Sequence, residues 1–277
     1  MAKNKIALIT GATDGVGKAT ALKLLTEGWE VVIIGRNPTK VETTVSELQS
    51  KTGNSAVSGI TADLSIMKDA KNASEVFLET HQQLDLLLLN ANAIANKRII
   101  TTEGNEQNFA LGYLSKVLMI RKLESVLEAT TNSQILSVIG LDTQPLDFED
   151  LKINKDFTGR KGLTRWQWAI NLFTTKNSQK SKSLMNLYIP GLVKTKILAD
   201  EPQPSRLIVQ IMNVVIGITP KKAAENLFTA LNDIVEKQKR GATYAWAKER
   251  EPLNIKRENG DDEKLMKSTD QLLAPYV

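Results

Sequence analysis

The sequence predicts an α/β fold: an open, doubly wound, mostly parallel sheet with helices on both faces. Two observations carry this. Short apolar, β-branched runs alternate with longer stretches of helical periodicity along all 277 residues, the pattern of successive βαβ units. The first run, Ile6-Ala7-Leu8-Ile9, stops at the glycine turn Thr10-Gly11-Ala12-Thr13-Asp14-Gly15-Val16-Gly17, which opens directly into a helical pattern through Leu25. A helix N-terminus offers unpaired amides and a partial positive charge, and glycines let backbone approach a pyrophosphate closely. The spacing is G-x-x-x-G-x-G, not the commoner G-x-G-x-x-G. Gly11, Thr13, Asp14, Gly15, Val16 and Gly17 are therefore expected to bind nucleotide phosphates.

The remaining elements follow in order. Trp29–Ile34 reads as a second strand, closed by Gly35. Where a dinucleotide fold selects its cofactor, an acidic residue would hold the ribose 2′-OH and an arginine admits a 2′-phosphate. The sequence has Gly35-Arg36-Asn37, with Lys40 a turn later, so Arg36 predicts NADP(H). A polar helix over 39–50 leads to a strand near 56–61 that ends at Ala62-Asp63-Leu64. Asp63 there is placed to accept from an adenine amine or to cap the next helix, 68–80. Leu84–Leu89 is a nearly continuous apolar run, as for a central parallel strand buried on both faces. It ends at Asn90-Ala91-Asn92-Ala93, small and amide residues where a doubly wound fold binds its ligand. A long helix is expected over 106–128, a strand over 134–139, helical character over 163–174 and a sixth strand over 184–189. Residues 196–218 read as a lid with a hydrophobic helix, 220–235 as a helix and 242–246 as a last strand before a charged tail. Nothing repeats and no linker divides the chain, so residues 1–277 read as a single domain.

Composition narrows the function. The net charge is +5, but the lysines are dispersed, which argues against a nucleic-acid partner. The absence of cysteine excludes disulfides, cysteine-ligated zinc and thiol nucleophiles. One histidine, His81, cannot build a multi-histidine metal site, and it is expected to be solvated at a helix end, so no metal is expected. No secretion signal or membrane-length apolar run is visible, and the default expectation is a cytoplasmic protein.

These residues together resemble the short-chain dehydrogenase/reductase family, in its retinol-dehydrogenase-like branch. The resemblance rests on Thr10–Gly17, Arg36, Asp63-Leu64, Leu89-Asn90-Ala91-Asn92 and Pro190-Gly191-Leu192-Val193-Lys194-Thr195. Further support lies in Leu146-Asp147-Phe148-Glu149-Asp150-Leu151 and Thr219-Pro220-Lys221-Lys222-Ala223-Ala224. It implies a Rossmann fold over almost the whole chain. By the same resemblance the glycine turn holds the pyrophosphate and Asp63, beside Leu64, the adenine. Asn90 and Ala91 take the ribose side, and Pro190, Gly191 and Thr195 the nicotinamide end. It also implies a possible homodimer through the 106–128 helix and the one after it.

The family's chemistry needs a tyrosine to move the proton, a lysine one turn later to lower its pKa, a serine on the carbonyl oxygen and a supporting asparagine. Alignment by neighbours puts Gly140 in the serine place, Leu163 in the tyrosine place, Gln167 in the lysine place and Phe109, next to Asn108, in the asparagine place. The literal Tyr244-x-x-x-Lys248 falls in the expected last strand and is rejected. General acid–base catalysis, worth roughly 10²–10⁴-fold, is thereby missing from its usual positions. Asp142, Thr143, Arg165, Trp166 and Tyr188 stand as substitutes, each with an ordinary structural explanation. Three readings stay open: an oxidoreductase without the tyrosine–lysine pair acting on an apolar substrate, an inactive cofactor-binding sensor or partner subunit, and non-redox chemistry in the same pocket. The expected pocket is lined by Ile139, Leu163, Trp166 and the 207–215 segment, which suggests an apolar ligand.

Overall fold

The computed structural model describes residues 4–92, 95, 97–194, 217–253 and 255–277. The first half alternates strictly: β1 (Ile6–Thr10), α1 (Gly15–Thr26), β2 (Glu30–Gly35), α2 (Pro38–Thr52), β3 (Val57–Thr61), α3 (Met67–Thr80) and β4 (Leu86–Leu89). A segmented helical arm follows, with α4 (Gln107–Phe109), a π-helical turn (Ala110–Leu114), α5 (Ser115–Lys122) and α6 (Glu124–Glu128). Next come β5 (Gln134–Val138), α7 (Gly159–Asn177), β6 (Leu184–Ile189), α8 (Pro220–Glu236), β7 (Thr243–Ala245), β8 (Lys248–Arg250) and α9 (Asp261–Leu273).

The strands form one sheet in the order β3-β2-β1-β4-β5-β6-β7-β8, parallel except where β8 returns antiparallel along β7. Period-two side-chain alternation explains the continuous apolar runs of the central strands. Ile6 and Leu8 of β1, with Leu87 and Leu89 of β4, enter the core beneath α3, α5 and α7. Ala7 and Ile9, with Leu86 and Leu88, enter the opposite core beneath α1, α2 and α8. After β3 the chain crosses to the other side of β1 to start β4, so the crevice between these two strand ends is the topological switch point.

The turn after β1 and the end of β4 are in contact. Gly11 adopts φ +65°, and a Cβ there would lie 2.8 Å from the Ala91 Cα. The Asn90 side-chain amide donates to the carbonyls of Thr10 (3.1 Å) and Gly11 (3.0 Å). Thr10 Oγ1 accepts from the Ala91 amide at 2.9 Å.

Three features differ from the sequence expectation. The 106–128 helix is interrupted by the π turn and again at Leu123; within the π turn Gly112 lies against the Trp166 indole, leaving no space for a Cβ. The charged tail holds a strand and α9, whose Leu265, Thr269 and Leu273 are buried at four-residue spacing while Tyr113 and Arg121 hold Thr269 and Asp270 at 2.6 Å. His81 is not solvated: its ring stacks on Phe77 with centroids 4.4 Å apart, and Nε2 lies 3.0 Å from Glu30 Oε1.

Helix α3 takes its cap from a distant residue. No side chain at its own start serves, and Glu103 instead accepts from the Met67 amide (2.6 Å) and the Lys68 amide (3.0 Å). Glu103→Ala should cost about 1 kcal/mol of stability, read as a lower denaturation midpoint, with Glu103→Gln losing less.

Candidate functional site

A cavity of about 640 Å³ runs along the carboxyl ends of the strands and spans the switch point. Arg36 and Asp63, at the ends of β2 and β3, form one extremity. Residues after β5 and β6, with Leu163, Trp166 and Gln167 of α7, form the other. Twelve of the fourteen residues expected to bind the cofactor line it: Gly11, Thr13, Asp14, Gly15, Val16, Arg36, Asp63, Leu64, Asn90, Ala91, Pro190 and Gly191. Gly17 supports the turn from behind, where a Cβ would meet the Gly11 carbonyl oxygen at 2.5 Å and the Asn90 amide nitrogen at 2.6 Å. Thr195, Ala93 and the expected lid up to residue 216 lie outside the described residues. Beyond them, the Ile218 amide donates to the Leu192 carbonyl at 2.9 Å.

Between the two extremities, after β1, the Asp14 carboxylate accepts from the Gly15 amide at 2.7 Å and so caps α1. The first amides of a helix have no intrahelical partner, and Val16, next in that turn, lines the cavity. The Arg36 guanidinium is largely exposed and stands 3.9 Å from Asp63 Oδ2. Asp63 does not cap α3; its other oxygen accepts from the amide (3.0 Å) and hydroxyl (2.7 Å) of Ser65.

The opposite extremity brings Gly140, Leu163 and Gln167 onto one wall. Gln167 Oε1 accepts from the Gly140 amide, and its Nε2 donates to the Leu163 carbonyl at 3.3 Å. A Cβ on Gly140 would lie 2.6 Å from Gln167 Oε1, so a side chain at 140 requires the end of Gln167 to move. Phe109 is buried in the core. Asn108 is engaged elsewhere, accepting from the Ala95 amide and donating to Glu106, each at 3.0 Å. Gln107, which the sequence reading passed over, is the residue of this segment that lines the cavity. A π turn is a recurrent mark of functional sites in helices, and its one-residue offset defeats an alignment by neighbours.

Of the proposed substitutes, Trp166 lines the cavity, beside Ile139 and Leu163. Asp142 pairs with Arg160 at 2.7 Å. Arg165 donates to the Asp147 and Asp150 carbonyls, each at 3.1 Å. Tyr188 is buried against the Ala223 carbonyl, and burial raises its pKa. Thr143 is not among the lining residues. Tyr244 and Lys248 lie on successive antiparallel strands, with the Tyr244 hydroxyl donating to Asp233 at 2.6 Å, so that pair has no helical geometry.

Sequence reading also missed Lys116. It is 2% exposed, and its ammonium donates to the Val138 carbonyl (3.0 Å) and Asn92 Oδ1 (3.1 Å). It also lies 4.6 Å from the centroid of the Trp166 ring. A lysine inside an apolar helical stripe is the signal that was available. Burial lowers its pKa from 10.5 to about 7. Its folded value therefore lies below its unfolded one, and between about 7 and 10.5 the unfolded chain binds the extra proton, so stability rises with pH across that window. Lys116→Met removes this dependence. Denaturant unfolding across the window should show wild type gaining stability relative to the variant as pH rises, and parallel profiles would contradict the buried charge.

The comparisons with known proteins agree with this architecture. The family model described as short chain dehydrogenase matches residues 5–144. Retinol dehydrogenase 13 of Mus musculus is 28% identical over 199 residues, covering 70% of this chain and 60% of its own length. Polyprenol dehydrogenase of Homo sapiens is 25% identical over 232 residues, covering 80% and 70%. The chain thus spans about 60% of the length of the mouse relative. The structure of an alcohol dehydrogenase from Thermococcus sibiricus, complexed with 5-hydroxy-NADP, superposes with a TM-score of 0.66 over 92% of this chain and 100% of its own, at 19% identity. With a Rossmann-type sheet, a cavity at its switch point and a family match over half its length, the chain belongs to the short-chain dehydrogenase/reductase family, in its retinol-dehydrogenase-like branch.

Proposed function

We propose that this chain is an NADP(H)-binding oxidoreductase-type protein that takes an apolar ligand and lacks the tyrosine–lysine proton pair. The residues fit the cofactor. Gly11 and Gly15 turn the backbone at positive φ, the N-terminus of α1 meets the cavity, and Arg36 supplies a cation at the extremity where a 2′-phosphate would lie. The nicotinamide-bearing cofactor, when bound, supplies hydride. The chain's own residues orient it and shape an apolar end with Ile139, Leu163 and Trp166. The reading covers residues 1–277 as one domain with the lid at 196–218, in a cytoplasmic protein; no described helix is long and apolar enough to cross a membrane. The family resemblance adds a homodimer.

The single observation that carries the reading is the joined pair of Gly140 and Gln167 on the cavity wall. Neither offers a proton to a carbonyl oxygen, and the described lining contains no tyrosine, lysine or histidine. Turnover is thereby confined to acceptors that need no proton from the protein, such as activated double bonds. The same closed hydrogen bond favours a second reading, cofactor binding without turnover, because the polar atoms on this wall already satisfy each other.

Arg36→Asp should weaken NADPH binding by more than tenfold while changing NADH binding far less, as read by titration; equal losses would remove the phosphate role. Gly140→Ser alone should displace the end of Gln167 without creating activity. The combined Gly140→Ser, Leu163→Tyr, Gln167→Lys variant should gain measurable NADPH-dependent carbonyl reduction. No gain would show that these three positions do not account for the missing chemistry.

A further inference from the structure

Lys116 is a buried cation for which the family's usual chemistry has no role. It reaches from α5 to the wall at the far extremity of the cavity, where Asn92, Val138 and Trp166 are all lining residues. Its partners are two neutral oxygens and an aromatic face. Such contacts compensate a buried ammonium without neutralising it. Asn92 in turn donates to the Val138 carbonyl at 3.3 Å, so the three residues form one closed unit behind the cavity surface. Arg165, on the facing helix, is turned away to the Asp147 and Asp150 carbonyls. The charged lining residues are Asp14, after the central strand β1, and Arg36 and Asp63, after β2 and β3; none is among the described lining residues after β5 and β6 or on α7. With Lys116 protonated, whatever lies against this wall therefore experiences a positive charge that no described lining residue opposes, across a thin, apolar and amide boundary.

We propose that Lys116 is a positioning and specificity residue: its charge behind the Asn92–Val138–Trp166 wall makes the cavity select the neutral, reduced nicotinamide over the cationic, oxidised one. This rests on the NADP(H) reading above. The two cofactor forms share the same phosphates and adenosine, so the contribution of Arg36 cancels in their affinity ratio and the charge on the nicotinamide ring remains. A unit charge acting on another over roughly 10 Å at an effective dielectric near 20 changes an equilibrium roughly tenfold. The same field favours acceptors that develop negative charge, which is the electrostatic help a site without a proton donor lacks.

The test is calorimetric titration of the whole chain with NADPH and with NADP⁺ near pH 6, where Lys116 carries its proton. Wild type should bind NADPH roughly tenfold or more tightly than NADP⁺. Lys116→Met should reduce that ratio roughly tenfold, chiefly by tightening NADP⁺. Lys116→Gln, neutral but still a donor to Asn92 and Val138, should do the same, and Lys116→Arg should keep the wild-type ratio. A purely structural lysine would weaken both forms in parallel and leave the ratio unchanged, which overturns the proposal. A wild-type ratio near one overturns it without any variant. Wild type binding neither form would instead overturn the cofactor reading on which it rests.

Discussion

The close approach of the glycine turn to the end of β4 sets the geometry on which everything else rests. A Cβ on Gly11 would run into the Ala91 backbone, and one on Gly17 into the Gly11 carbonyl and the Asn90 amide. With both positions bare, Asn90 joins the Thr10 and Gly11 carbonyls and Thr10 receives the Ala91 amide. Those bonds hold the two central strand ends together at the point where the sheet changes direction. The start of α1, the cavity floor and the far wall all take their positions from this joint. Asn90 serves first as a part of that joint, with its amide hydrogens directed to backbone rather than outward.

The far wall shows how one replacement constrains another. Gln167 reaches the Gly140 amide, and its end lies where a Cβ at 140 would stand. Gly112 and Trp166 show the same dependence one layer deeper: the bare helix position admits the indole, and the indole covers the Lys116 ammonium. On this wall a large aromatic ring, a buried cation and an amide form a packed and electrostatically biased surface. Proton delivery, worth roughly 10²–10⁴-fold where present, has no donor on this wall among the described residues.

Much of this was legible in the sequence, for definite reasons. Strands β1, β4 and β6 are buried on both faces and leave continuous apolar runs that periodicity detects. The glycine turn and Arg36 announce themselves by residue type at a strand end. The π turn was not legible, because a helix with one extra residue keeps an apolar stripe while shifting what precedes it, so Gln107 rather than Asn108 reaches the cavity. Helix α9 was obscured by its many charged residues, among which Leu265, Thr269 and Leu273 go in at four-residue spacing. The role of Lys116 depends on three contacts from distant segments, which no local pattern carries. Likewise the capping of α3 by Glu103 spans 36 residues.

The most direct test of the central claim is single-turnover oxidation of bound NADPH, followed by its absorbance, with a simple ketone and with an activated alkene as acceptors. The account predicts saturable NADPH binding and no oxidation by the ketone, with any turnover restricted to the alkene. Ketone reduction at a rate typical of the family would contradict it, because it would require a proton donor that the described residues of this wall do not supply.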